Sequence, residues 1–405
     1  MLAPERRTRA DIQAAVAIAV VVVIAIALVW VYSDARRTVS EPAAQAATAP
    51  VTATALPQQL RELWHQPDEA TTRALASGGV AVTGSGGTVT GRDPRTGEQL
   101  WKYQRDIPLC GVESQFGTVV ATYRDQRGCS QTTLLAADTG ARRTARSSYM
   151  DDRVKLSVDG TYTLALGPDR LEMWRSDLVR TLEYGYVDAP VNVRTQPRKD
   201  CALLSGASST TRLAVLERCP GETADRLTVL NPAPKDNSVP EEYGSHVLTE
   251  PGAVSDKARV IAVSDNRIAL YLPGTDTEAP QFAIYDQNAN AVAVHRLTAP
   301  LTDDIMTTRV GSAFLVFTGN SVIALNTTTF DPVWTASDAL GTPALLAGQL
   351  LMPVADGLAV VDPATGAQTT RIPVSRAEYH GEPISLAVIG NTVLERRGGD
   401  LYALG

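Results

Sequence analysis

Residues Gly91–Trp101 read GRDPRTGEQLW. An apolar strand runs into Asp93, a residue that starts turns by accepting hydrogen bonds from the backbone just ahead of it. Thr96-Gly97 completes the turn with a residue tolerant of positive φ, and a second strand leaves carrying Trp101. The stretch is a β-hairpin, and it recurs. Ala324–Trp334 reads ALNTTTFDPVW and Val360–Thr370 reads VVDPATGAQTT. Aligned, these copies share an Asp or Asn two residues in and Thr329 or Thr365 five in; Gly366 follows Thr365, and Trp334 repeats the Trp101 position.

Weaker copies fill the intervals. Leu134–Gly140 keeps Thr139-Gly140, Met173–Arg180 keeps strand character and an Asp, Val229–Lys235 has Asn231, and Ile284–Asn290 has Asp286 with Asn290 in the glycine slot. A last copy begins at Leu401 and ends at Gly405. Counting from Gly91, Leu134, Met173, Val229, Ile284, Ala324, Val360 and Ala403, the spacing suits one four-stranded blade per copy. Short strands such as Arg267–Tyr271 lie between the markers, and no long amphipathic helix follows residue 58. The pattern predicts an all-β chain, an eight-bladed β-propeller, with seven blades the alternative count. Leu60–Trp64 supplies the outer strand and tryptophan that the copy at the C-terminus lacks, so Trp64 is expected to close the ring as a clasp and remove its open edges.

The N-terminus reads differently. Ile12–Tyr32 is uncharged and, at about 1.5 Å per residue, spans roughly 30 Å, the thickness of a bilayer's hydrocarbon core. Trp30 and Tyr32 stand where interfacial aromatics belong, and Arg6, Arg7 and Arg9 precede the stretch while Arg36 and Arg37 follow it. This predicts a cytoplasmic tail over 1–11, an uncleaved transmembrane helix over 12–32, and a domain over 58–405 outside the cytoplasmic membrane. The apolar run is longer than the core of a cleaved signal peptide. Residues 33–57, rich in Ala, Pro and Thr, show no strand or helix period and read as a flexible linker.

The net charge of −7 and five lysines among 37 basic residues argue against a nucleic-acid binder. Outside the membrane, four cysteines read as two disulfides. Three pairings are open; Cys110–Cys129 and Cys201–Cys219 are chosen because the repeat register puts both pairs at the same place in their blades. No CxxC occurs, and the four histidines are scattered.

Asp93, Thr96, Gly97 and Trp101, with Gly91 in an alanine slot, resemble the quinoprotein-type (PQQ-like) β-propeller repeat, whose pattern is A-x-D-x-x-T-G-x-x-x-W. Ala324, Thr329 and Trp334 match it in a second blade, and Asp362, Thr365 and Gly366 in a third. With its anchor and Ala/Val/Arg-rich composition the chain is similar to membrane-anchored propellers of actinobacteria, and in architecture to the BamB scaffold of outer-membrane protein assembly. The family includes dehydrogenases that hold a quinone and Ca²⁺ on the axis beneath an adjacent Cys-Cys disulfide and above a tryptophan floor. This sequence has no Cys-Cys pair and four tryptophans beyond the anchor, of which Trp174 alone lies outside the repeat slot. No GxSxG, P-loop, GxGxxG or HExxH occurs either, so no catalytic residue, cofactor or metal is assigned. Asp151-Asp152, Asp303-Asp304 and Thr275–Glu278 read as solvated loop residues.

Two functions follow. The first is a non-catalytic scaffold that binds protein partners in the cell envelope, for assembly or division. The second is a small-molecule or glycan-binding module using the funnel, with Tyr123, Tyr149, Tyr162 and Tyr184 as candidate aromatics. The extra length of the two longest repeats is placed near Asn231–Ser245 and Pro273–Pro280, which are expected to form one partner surface.

Overall fold

The computed structural model describes residues 8–188, 190, 192–303, 305–377 and 379–405. Arg6, Arg7 and Asp304 lie outside them. The chain forms eight β-sheets, antiparallel but for one short pairing in blade 8, arranged as the blades of a propeller. Each predicted marker falls in the third strand of its blade, from Thr88–Arg92 in blade 1 to Asp400–Leu404 in blade 8.

The hairpin between the third and outer strands repeats with one irregularity. A bulge interrupts the register after Gly91, Met173, Val229, Ile284, Ala324 and Val360, and beside Arg142 in blade 2. A bulge increases local twist, and here it swings each outer strand against the next blade. Blade 8 makes the same pairing without a covalent turn. Its outer strand is Glu62–Pro67, paired antiparallel with Asp400–Leu404, and it carries the same bulge, between Glu62 and Trp64. The clasp is therefore the structural equal of the seven covalent hairpins, and the ring has no open join.

The core is a series of layers between neighbouring blades. One unites Val82 and Trp101 of blade 1 with Val119 and Leu135 of blade 2; another unites Leu227 and Val229 of blade 4 with Ile268 and Leu270 of blade 5. The inner strands face the axis. On blade 8 the pair Gly341–Thr342 adds a parallel strand inside Ile384–Ile389. A Cβ at Gly341 would stand 1.7 Å from the Ile384 carbonyl oxygen, so only glycine permits that approach.

The N-terminal helix spans Arg9–Tyr32, with a capping box in which the Thr8 side chain and Asp11 each accept from the other's backbone amide. It starts earlier than the uncharged run because a helix begins at its cap, not at its first apolar residue. Its length, and an 18-residue stretch within it whose mean hydropathy is 3.1, make it able to cross a membrane.

Residues 33–57 correct the linker expectation. Val39–Glu41 pairs with Lys102–Gln104 as a fifth strand on blade 1. The amides of Ala43 and Ala47 then donate to the carbonyls of Thr139 and Asp138 in the blade 2 turn, at 2.8 and 3.0 Å. Thr48 and Ala49 pass against Gly79 of blade 1, Pro50 against Gly390 of blade 8, and Ala53 and Leu56 join the layer between blades 7 and 8. The segment buries too little to order itself, but the propeller offers it a finished surface, and small side chains let it lie flat there.

Candidate functional site

The repeat residues interlock the blades. Trp64, Trp101 and Trp334 each donate from the indole nitrogen to a carbonyl in the next blade's turn: Pro94 at 3.1 Å, Ala137 at 2.8 Å and Pro363 at 3.0 Å. Each ring lies on the turn's glycine. A Cβ at Gly97, Gly140 or Gly366 would come within 2.7, 2.5 and 2.6 Å of its tryptophan, and all three have positive φ. Asp93 and Asp362 hold the turns by accepting two backbone amides each, as does Asn326, and Thr96, Thr329 and Thr365 each accept one more.

Where the tryptophan is missing the joint is rebuilt. Between blades 5 and 6 the outer strand has Ala293, and the glycine slot of the next turn holds Phe330, buried at φ +62 and packed in the same layer. In blade 5 the Asp286 turn is one residue tighter than expected. Positive φ falls on Ala289, and Asn290 instead donates to the Asp286 carboxylate, at 3.0 Å. Between blades 2 and 3, Arg146 donates to the Leu178 carbonyl at 2.8 Å and pairs with Glu172 at 2.9 Å, its guanidinium over the Trp174 ring. Glu172 is fully buried; burial opposes its charge, but Arg146, Arg170 and the Trp174 indole outweigh that and lower its pKa. None of these residues reaches the axis.

The disulfides are Cys110–Cys129 and Cys201–Cys219. The second brackets the first two strands of blade 4 as expected. The first ties the inner strand of blade 2 to the start of its third strand, Gly128–Ala136, skipping one strand. Cys201, Glu217 and Cys219 cluster closely enough to suggest a metal, but both sulfurs are spent in the disulfide.

The axis is a channel of about 810 Å³ lined from seven of the blades, 1 to 6 and 8, through residues such as Arg73, Glu113, Lys155, Ser208, Arg259, Asp303 and Ser385. At the inner hairpin turns the carboxylates are already engaged. Asp159 accepts from Ser208 and two backbone amides, and Asp265 from Ser209 and Thr211. The strap over 42–57 skirts this mouth along blades 1, 8 and 7. Toward the other mouth Arg73 grips Glu113 with two bonds, at 3.0 and 2.6 Å. Lys155 stands in the channel without a hydrogen-bond or ion-pair partner among the described residues.

The aromatic funnel expected from sequence is not there. Tyr123 and Tyr184 are buried inside blades, and neither Tyr149 nor Tyr162 lines the channel, whose lining aromatic is Phe314. The two long loops do not form one surface either. Residues 231–241 lie against the outer strand of blade 3 and the connection after it, where Arg180 meets Asn237 and Asn192 meets Asp236. Residues 273–280 pack on their own blade, with Glu278 beside Arg296. The channel cations escaped the sequence reading because each lies on a different blade; the scarcity of lysine was the one signal that could have singled out Lys155. Asp151 caps the Asp169 and Arg170 amides, a structural role.

No protein-family profile and no curated protein matches this chain. Solved structures do. The computationally designed protein Ika8 superposes with a TM-score of 0.55 at 13% identity, over 86% of this chain and 99% of that one. Saccharomyces cerevisiae Sqt1 gives 0.50 at 9%, over 86% and 99%. The dihydro-heme d1 dehydrogenase NirN, in complex with DHE, gives 0.50 at 15%, over 89% of this chain and 73% of that one. At such identities the likeness is one of fold. The chain is thus an eight-bladed β-propeller preceded by an apolar helix able to span a membrane.

Proposed function

We propose that this protein is a non-catalytic, membrane-anchored scaffold whose propeller stands outside the cytoplasmic membrane and binds protein partners of cell-envelope assembly or division. The observation that carries the reading is the strap. Only Ser33–Thr38 separates the apolar helix from a strand built into blade 1, and fully extended it would span roughly 20 Å. A closed, rigid ring is thereby held close to the bilayer, which suits presentation of surfaces to neighbours in or near the membrane. The two disulfides suit an oxidising compartment.

The likeness of the repeat to quinoprotein propellers supports the architecture and not their chemistry. The matching residues serve blade joints, and a channel with Phe314 as its lining aromatic and no adjacent cysteine pair does not fit a stacked planar quinone. Crosslinking in intact membranes, with recovery of the tagged full-length protein and mass spectrometry, tests the scaffold. Specific capture of envelope-synthesis or division proteins, reduced by trimming 231–241 or 273–280, is the expected result. A full-length protein that captures no partner would overturn it.

A second reading, a binding module for a small ligand, is favoured by the volume and polarity of the channel. Its glycan form loses support because the candidate tyrosines lie elsewhere.

A further inference from the structure

One mouth of the channel has more cations than carboxylates to meet them. Lys155 opens the inner strand of blade 3, Arg259 opens that of blade 5, and Lys257 lies just before it. Asp303 is the carboxylate that serves this group among the described residues, and it is shared: Lys257 Nζ is 3.6 Å from it and Arg259 3.8 Å. Two of the Arg259 nitrogens are committed to the carbonyls of Lys257 and Asp303, at 3.1 Å each. The neighbouring pair Arg73–Glu113 is closed on itself. Lys155 therefore faces the channel as an ammonium with no counter-charge.

The Lys155 side chain is exposed to the water of the channel, with the channel wall close around it. Desolvation by the surrounding protein, with the Arg259 charge nearby, lowers its pKa. A hydrated cation on a confining wall attracts an anion more strongly than one on an open surface, and an oxyanion entering the channel supplies the counter-charge that Lys155 lacks. A molecule of net charge −7 that keeps a cationic mouth on a narrow channel also concentrates anions there.

We infer that this mouth is a binding site for a small soluble oxyanion, a phosphate- or carboxylate-bearing molecule that fits the channel, with Lys155 as its direct ligand and Arg259 beside it. The inference deepens the small-ligand reading and does not depend on the scaffold reading.

The test uses the full-length protein in detergent micelles. Lysines are acylated at neutral pH with a water-soluble N-hydroxysuccinimide ester and quantified by peptide mass spectrometry, with millimolar pyrophosphate, citrate, or sodium chloride of equal ionic strength. The expected result is that pyrophosphate or citrate slows labelling of Lys155 several-fold, while Lys102 and Lys235 label as they do in sodium chloride. Protection by one anion and not the other assigns the phosphate or the carboxylate class. Pyrophosphate or citrate binding by calorimetry is expected to weaken roughly tenfold in Lys155→Gln, with its melting temperature in the absence of anion showing that the fold is kept. Labelling of Lys155 that neither anion changes overturns the proposal, and that measurement on the unaltered chain stands even if the variant does not fold. Loss of partner capture in the crosslinking experiment leaves this result untouched.

Discussion

Trp101, Trp64 and Trp334 do the same job at different depths. Trp101 is fully buried, Trp64 is 9% exposed and Trp334 is only partly buried. Deleting a buried indole costs about 3–5 kcal/mol, so Trp101→Ala is expected at the top of that range, Trp64→Ala below it and Trp334→Ala least. Denaturant titration of the three variants reads the order; equal losses would mean the joints do not depend on depth. Gly140→Ala should approach the Trp101 loss, because its Cβ would strike that ring from a backbone at φ +68.

Asp68 is a second residue with a measurable consequence. It follows the clasp, fully buried, its carboxylate accepting from Thr71 and from the Gly84 amide at 2.9 Å, with Arg396 at 3.9 Å. Burial raises its pKa to about 6, partly countered by those partners. A carboxyl whose folded pKa is raised favours folding when protonated. Its contribution is full below the unfolded value near 4 and is lost as pH rises through about 6. Asp68→Asn should remove that portion of the pH dependence of stability between those limits; an unchanged slope would show that Asp68 does not titrate there.

At the scale of elements, the strap and the disulfides carry the predictions. If 38–57 is sewn to the blades, native protein should resist proteolysis there at enzyme levels that cut the same segment after denaturation. Ready cleavage of native protein at those positions would show a free tether. Replacing both Cys201 and Cys219 by serine opens a loop whose closure is worth about 3 kcal/mol on the entropic account, and the loss should appear in the denaturation midpoint. The pairing itself was readable from repeat register. Its placement on the strands was readable only for Cys201–Cys219, since the blade 2 strands run longer than the repeat suggests and carry Cys129 into the third strand.

For the whole molecule, closure is the property to test. Without residues 1–67 the strand Asp400–Leu404 becomes an exposed edge, and unpaired edges recruit other chains. The truncated chain is expected to aggregate or to lose its single cooperative unfolding transition, whereas removal of the helix alone should leave that transition intact.

Much of this architecture is written locally. Asp93-Pro-Arg-Thr-Gly97 specifies its own turn through short-range hydrogen bonds, so the hairpin, the blade count and the need for a clasp at Trp64 follow from the order of residues alone. An uncharged run at Ile12–Tyr32 likewise carries its own meaning, because a bilayer reads length and polarity without a partner. What sequence could not say was which distant residues share a space. The strap is ordered by surfaces of blades 1, 2, 7 and 8 that do not exist until the ring closes. Phe330 is tolerable at a glycine position only because Ala293 leaves room across the blade joint, and Lys155 lacks a counter-charge only because eight inner strands from the whole chain meet around one axis.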